Sequence, residues 1–299
     1  MDRARAFGLR NGMWIARARE LCECLIVMPY EFSAYERIAE RMYCAVFELS
    51  PHVIGMSVDE CYADLTALPD PEAAAAGLRA TIRERTGCPA SIGLGPNRLL
   101  AQLATKRAKP DGLMRIELAE GRAWLREEPV ERLPGCGRTF VSKLSAIGVV
   151  TCADLLSADV VKVQGAIGPA KATLFRAFAA GADSRKWEPR PERKSMGAQS
   201  SWGVRFHTLV EAETFVRKLS AEVAERLARQ GLRGSQLTLK LWRAMEGAPD
   251  SARKGFMGHG MCDHVSRSIT LPAPTSAAVA IAQEATKMLC AGIGPPDAL

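Results

Sequence analysis

The 299-residue sequence contains no apolar run long enough to cross a bilayer, and no signal peptide precedes its first helix-like segment. Histidine is scarce. His52, His207, His259 and His264 are the whole set, and none stands at a recognisable spacing from a serine or cysteine partner. A Ser–His or Cys–His hydrolytic site is therefore not expected. The nine cysteines are odd in number and scattered; Cys22 and Cys24 form the one close pair, and no second Cys/His pair stands at zinc-finger spacing. This argues against a disulfide framework and a structural zinc, and suits free thiols in a reducing compartment.

What is present is an ordinary globular balance, 47% hydrophobic and 24% charged residues, in a chain long enough for two or three packed modules. The net charge of +7 and a pI near 9.0 suit a polyanionic partner, because each neutralised phosphate releases condensed counterions. Charge alone fits a merely basic protein equally well, so its distribution has to decide.

Along the first third, short apolar runs alternate with helical patterns. "CLIVMPY" reads as a strand and "EFSAYERIAERMYCAVFELS" as an amphipathic helix. "HVIGMSVDE" and "CYADLTAL" read as two strands joined at an acidic pair, "PEAAAAGLRATIRERTG" as a helix opened by Pro and closed by Gly, and "PASIGLG" as a buried strand before a helix stopped at Pro110. From about Glu117 short helices punctuated by glycine take over. "ADSRKWEPRPERKSMG" has no apolar periodicity and reads as a linker. A second α/β pattern follows. "MGAQSSWGVRF", "SQLTLKLWR" and "HVSRSITL" read as strands, Phe215, Leu219, Val223 and Leu227 share one helical face, and "SAAVAIAQEATKMLC" supplies another helix. One further strand would complete a split unit.

Four constellations carry chemistry. Asp59 and Glu60, in "MSVDECYADL", are adjacent carboxylates at a strand end. One can bridge two Mg²⁺ ions while its neighbour reaches in from the turn. An acidic hairpin turn is the plain alternative, weakened by apolar flanks that would half-bury the pair. In "SIGLGPNRLLAQLATKRAKPDGL", Gly93, Gly95 and Pro96 let a strand turn sharply into a helix, and Lys109 in the loop beyond can meet a triphosphate as a point charge; a solvated helix end is the alternative. "LPGCGRTFVSKLSAIG" places Gly135 and Gly137 before a helix, where free backbone N–H groups can meet a DNA phosphate, with Lys143 one turn on. Followed by "IGVVTCADLL", it fits a helix-hairpin-helix element better than a plain αα-hairpin. Last, Arg185, Lys186, Arg190, Arg193, Lys194 and Arg205 cluster with Trp187 and Trp202 at the module junction, as on a backbone-tracking surface or a merely solvated charge run.

"SVDE", "SIGLGPNRLLAQLATKRAKPDGL" and "LPGCG…KLSAIGV…DLL", in this order, resemble the Y-family translesion DNA polymerases over essentially the whole chain. "MPYEFSAYERIAERMY", "ERKSMGAQSSWGVRF", "GLRGSQLTLKL" and "ARKGFMGHGMCDHVSRSITL" resemble one branch, the eukaryotic Rev-type deoxycytidyl transferases. The resemblance implies an α+β multidomain right hand: fingers over 1–29, palm over 30–116, a helical thumb with helix-hairpin-helix over 117–183, a linker over 184–194 and an α/β little finger over 195–299. It implies Asp59 as bridging metal ligand and Glu60 as second acidic residue, with Mg²⁺ as cofactor. Arg5 and Lys109 become contacts to the incoming nucleotide, and Gly135, Gly137, Lys143, Arg193, Lys194 and Arg205 contacts to primer-template DNA. Met257, Gly258, His259 and Gly260 become the loop that holds an expelled template base. Insertion of dCMP opposite guanine or an abasic site is the implied reaction, with dCTP and other translesion polymerases as partners, the nucleus as location and no membrane.

The sequence also departs from that pattern. The palm strand that carries a further metal-binding aspartate and a sugar-gating aromatic has no counterpart, nor has the dCTP-selecting arginine's segment. The fingers tyrosine is Asp2, and the last little-finger strand is lacking. A chain cut inside domains at both ends is expected, inactive by itself although its full-length parent is active. The alternatives are a catalytically inert homologue that scaffolds lesion bypass on DNA, and a helix-hairpin-helix repair nuclease, which leaves the two α/β modules unexplained.

Overall fold

In the computed structural model, residues 2–188, 192–201, 204, 206–245, 247 and 261–292 are described. The chain divides into two units, Met1–Arg190 and Pro191–Leu299, each described here by itself.

The first unit opens with two short helices, α1 (Asp2–Ala6) and α2 (Ile15–Leu21). The stretch expected as a strand, "CLIVMPY", is irregular instead. Among the described residues it pairs with no strand, and Ile26 and Met28 are left 83% and 74% exposed. Helix α3 (Phe32–Leu49) then leads into an antiparallel hairpin of β1 (Val53–Gly55) and β2 (Cys61–Ala63), with Ile54 opposite Tyr62. In α4 (Pro71–Thr86) the Asp70 carboxylate accepts from the Ala73 N–H at 3.0 Å, Pro71 occupies the first turn, and Gly87 stops the helix at φ +70°.

Strands β3 (Ile92–Leu94) and β4 (Leu113–Arg115) are parallel and joined through α5 (Arg98–Ala108). The chain passes from β3 into α5 within three residues, Gly95 to Asn97, and Gly93 and Gly95 also serve close packing. A Cβ on Gly93 would lie 2.1 Å from the Thr105 nitrogen, and one on Gly95 2.7 Å from the Ala101 nitrogen, so α5 rests directly on the strand backbone.

Five helices and a 3-10 turn follow: α6 (Leu118–Glu127), the turn Val130–Arg132, α7 (Arg138–Ser145), α8 (Cys152–Ser157), α9 (Val160–Ile167) and α10 (Pro169–Ala179). Thr151 and Asp154 form a reciprocal capping box on α8. Phe175, Phe178, Leu144, Leu155 and Val163 are fully buried, in one cluster with Leu99, Leu100, Leu103 and Ala104 of α5. At roughly 1.5–3 kcal/mol for each large side chain, this shared core fastens the helical bundle to the β3–α5–β4 layer.

The second unit contains α11 (Leu209–Arg229), β5 (Gly234–Ala244), β6 (Cys262–Thr275) and α12 (Ala278–Gly292). The strands pair antiparallel, and alternation sends Leu237, Leu239 and Leu241 onto Ala212, Val216, Ala285 and Leu289 of the two helices. The most buried row of α11 is Ala212, Val216, Ser220, Ala224 and Leu227, one position round from the expected Phe215–Leu219–Val223 row, which flanks it. The described part of "MGAQSSWGVRF" forms no strand, and β5–β6 stays a two-stranded sheet among the described residues.

Candidate active site

The acidic pair sits in the loop that closes the β1–β2 hairpin. Met56 and Ser57 N–H groups both donate to the Glu60 carbonyl, at 2.9 and 3.0 Å, which folds the five residues Met56–Glu60 back on themselves. The Asp59 N–H donates to Ser57 Oγ at 3.3 Å, and the Ser57 hydroxyl donates to the Asp59 carboxylate. From α3, Tyr43 Oη lies 2.7 Å from the Ser57 carbonyl and 3.0 Å from the Glu60 carbonyl, so one phenol proton braces both ends of the loop. Gly55 permits that approach, since a Cβ there would stand 2.9 Å from Tyr43 Oη.

Asp59 and Glu60 are both exposed, where the apolar flanks suggested half-burial. Strand alternation puts Glu60 and Tyr62 on one face and Cys61 on the other. Burial, reinforced by the neighbouring Glu60 charge, pushes the Cys61 thiol up to about 11. The next carboxylate, Asp64, is committed elsewhere: the Thr66 hydroxyl and N–H donate to it at 2.6 and 2.9 Å and hold it below the usual carboxylate range. Among the described residues no group of three or more His, Cys, Asp or Glu side chains could hold a metal ion. The oxygen donors of Asp59 and Glu60 suit magnesium, which binds through one or two carboxylates and retains its own waters.

Lys109 is the exposed C-cap of α5 and makes no hydrogen bond or ion pair among the described residues. The loop that carries it is pinned through Asp111, whose carboxylate pairs with Arg83 and, at 2.9 Å, with Arg79. Arg5 is exposed on α1.

Gly135 (φ +82°) and Gly137, the N-cap of α7, form a second element, and a Cβ at either would meet nothing within 4 Å. Their backbone is open to approach. Lys143, however, lies in the last turn of α7, away from this glycine turn. A cleft of about 500 Å³ at the turn is lined instead by Lys106, Arg132 and Arg138, with Glu131, Cys136 and Ser142. Sequence reasoning missed these three cations, although Arg132 and Arg138 closely flank "LPGCG".

The junction cluster is split by the structure. Arg193 and Lys194 are exposed. Arg205 and the loop Met257, Gly258, His259 and Gly260 lie outside the described residues. Arg185 does not face a solvent-side partner as expected: its Nε and Nη2 donate to Asp183 at 2.8 and 2.6 Å, and its guanidinium stands over the Phe178 ring at 5.1 Å. Asp183, 1% exposed, also accepts from the Leu99 N–H at 3.1 Å, and Asn97 donates to the Gly181 carbonyl at 3.0 Å. The end of α10 is thus clasped to the start of α5. Tyr62 stands beside this clasp: burial raises its phenol, and it feels the charges of Arg185, Glu60, Arg98 and Asp183.

Two family models match the chain: impB/mucB/samB family over residues 2–106, and impB/mucB/samB family C-terminal domain over 193–294. The chain is 35% identical to the DNA repair protein REV1 of Arabidopsis thaliana over 91% of its own length and 25% of that protein's. It is 31% identical to the Rev1 of Drosophila melanogaster over 99% and 30%. It therefore spans roughly a quarter to a third of the length of these relatives. DNA polymerase IV of Alkalilimnicola ehrlichii is 33% identical, over 80% of this chain and 68% of the polymerase. Among solved structures, the Y-family DNA polymerase chimera Dbh-Dpo4(243-245)-Dbh superposes with a TM-score of 0.78 at 21% identity, covering 97% of this chain and 80% of the chimera. The insertion ternary complex of Dbh DNA polymerase gives 0.60 at 20%, covering 97% and 79%. The shared fold is that of the polymerases.

Proposed function

We propose, from the premise that this chain belongs to the impB/mucB/samB family, the Y family of DNA polymerases, that it is the nucleotidyl-transferring part of a translesion enzyme. The observation that carries this reading is the exposed Asp59–Glu60 pair on a loop whose backbone Tyr43 and Ser57 brace. In the reaction a primer 3′-hydroxyl attacks the α-phosphorus of a deoxynucleoside triphosphate and pyrophosphate leaves. Asp59 and Glu60 would hold Mg²⁺. The chemistry supplied by the bound metal is activation of the hydroxyl and neutralisation of triphosphate charge. Lys109 and Arg5 meet the triphosphate, and the Gly135–Gly137 turn, with Lys143, Arg193, Lys194 and Arg205, holds the primer-template backbone. The likeness to REV1 proteins supports a finer reading: dCMP transfer opposite guanine or abasic sites, in the nucleus, alongside other translesion polymerases. The fingers, palm, thumb and little-finger boundaries set out above belong to the same proposal.

One observation favours a second reading, a DNA-binding scaffold without catalysis: among the described residues no third ligand joins Asp59 and Glu60 to hold a metal pair. A single-nucleotide insertion assay separates the two readings. The 299-residue chain alone is expected to be nearly inactive, and a longer protein containing it to insert dCMP in a magnesium-dependent way. In that protein Asp59→Asn is expected to lose several kcal/mol of transition-state stabilisation, on the order of a thousandfold in rate. Magnesium-dependent insertion untouched by Asp59→Asn and Glu60→Gln would sink the enzymatic reading; equal use of all four nucleotides would sink the dCMP preference alone.

A further inference from the structure

The polymerase reading leaves the Cys22–Cys24 pair without a task. Their sulfurs stand 3.6 Å apart, and the local backbone holds them there. Cys22 caps the C-terminus of α2, its N–H donating to the Ala18 carbonyl at 3.0 Å, and the Leu25 N–H donates back to the Cys22 carbonyl at 3.0 Å, which folds Cys22–Leu25 into a turn. The two thiols are differently placed: Cys22 is 6% exposed, whereas Cys24 is open to solvent.

We propose that Cys22 and Cys24 form a redox-sensitive modification site that a low-molecular-weight disulfide converts into an intrachain disulfide. The order of events follows from exposure. The Cys24 thiolate attacks one sulfur of glutathione disulfide, the S–S bond breaks, and one glutathione thiolate leaves with the electron pair. Cys22 then attacks the Cys24 sulfur of the mixed disulfide. The Cys22–Cys24 bond forms, and the second glutathione departs with the Cys22 proton. One dithiol and one glutathione disulfide give one protein disulfide and two glutathiones. Burial first, then its hydrogen bond and proximity to Cys24, raises the Cys22 thiol, in keeping with Cys24 as the first attacker; Cys22 gives up its proton as it attacks. A resolving sulfur already at 3.6 Å makes the second step intramolecular, so the mixed disulfide does not accumulate. The ring sits where the Arg5-bearing helices join the segment leading to α3, and closing it stiffens that link.

Treatment of the full chain with graded glutathione disulfide, followed by alkylation, trypsin and mass spectrometry, tests this. Both cysteines fall in the single peptide Glu20–Arg37. That peptide is expected to lose two hydrogens at a glutathione disulfide concentration about tenfold below the one that derivatises the exposed Cys44 and Cys88. Cys22→Ser is expected to trap a stable glutathione adduct on Cys24; Cys24→Ser, a change at an exposed position, should leave Cys22 unmodified. A stable Cys24 adduct in the unaltered chain, or a peptide unchanged when Cys44 and Cys88 react, overturns the proposal. None of these readouts depends on DNA or nucleotide.

Discussion

The clasp between Asp183 and Arg185 lends itself to a quantitative test by Asp183→Asn. The native carboxylate accepts four hydrogen bonds, from the Leu99 N–H, the Arg185 N–H, and Arg185 Nε and Nη2, at 3.1, 3.1, 2.8 and 2.6 Å. Asparagine keeps an acceptor for Leu99 but removes the charge facing the guanidinium. Bonds to charged groups contribute about 1.5–3 kcal/mol each but do not add in full. Arg185 remains 33% exposed and can turn towards water, so the loss for Asn is about 2 kcal/mol. Asp183→Ala also strips the acceptor at the start of α5 and adds about 1 kcal/mol. Because the two units can unfold separately, amide hydrogen exchange at Leu99 is the appropriate assay. A loss of about 2 kcal/mol speeds that exchange roughly thirtyfold. The effect carries a pH signature. Burial pushes the Asp183 carboxyl up, but the Arg185 hydrogen bonds and the charges of Arg185 and Arg98 outweigh it and hold the group below the ordinary carboxylate range. A folded-state pKa depressed in this way contributes stability that is complete above the unfolded value, near 3.9, and is lost as pH falls through the folded one. Parent and variant should therefore converge in strong acid. Variants that exchange like the parent at pH 7, or a gap undiminished at the lowest pH, would refute the reasoning.

Three further outcomes are expected. Gly93→Ala places a Cβ 2.1 Å from the Thr105 nitrogen, so the β3–α5 contact must open; urea unfolding should show a loss of more than about 3 kcal/mol in the first unit, and a loss below 1 would contradict the close packing. Tyr43→Phe removes the single hydroxyl that spans the Ser57 and Glu60 carbonyls, at a cost of about 1 kcal/mol, with faster amide exchange confined to the Met56–Glu60 loop. Arg132→Ala and Arg138→Ala at the glycine turn should each weaken DNA binding uniformly across sequences and lower the slope of log affinity against log salt by about one; an unchanged slope would place DNA elsewhere.

How much of this was legible in the sequence depended on whether the signal was local. The α4 boundaries could be read from Pro71 and Gly87, because a first-turn proline and a left-handed glycine each act within a few residues. The Asp59–Glu60 turn was legible for the same reason, two short apolar runs around a polar break. "CLIVMPY" misled because a strand is not a local object: without a paired partner, β-branched and apolar residues do not make one. The parallel strand β4 went unread, since its pairing with β3 depends on α5 carrying the chain back alongside. Arg185 misled in a different way. In sequence it is one of five basic residues in a charged run, and only folding brings the Asp183 carboxylate, the Phe178 ring and the start of α5 around it.

Arg185, engaged by Asp183, leaves the junction cluster one cation smaller. In the first unit Lys106, Arg132 and Arg138 line the cleft at the glycine turn, with Arg132 3.9 Å from Glu128. The acidic pair follows the complementary logic. Two adjacent carboxylates in a half-buried strand end would bear a desolvation cost and a mutual repulsion that water no longer screened. The hairpin avoids both by keeping the side chains exposed and fixing only the backbone, through Tyr43 from α3 and Ser57 within the loop. Positional order is thus obtained without burial. On the proposed reading, two charges left in solvent on a fixed backbone are what a cation would meet there.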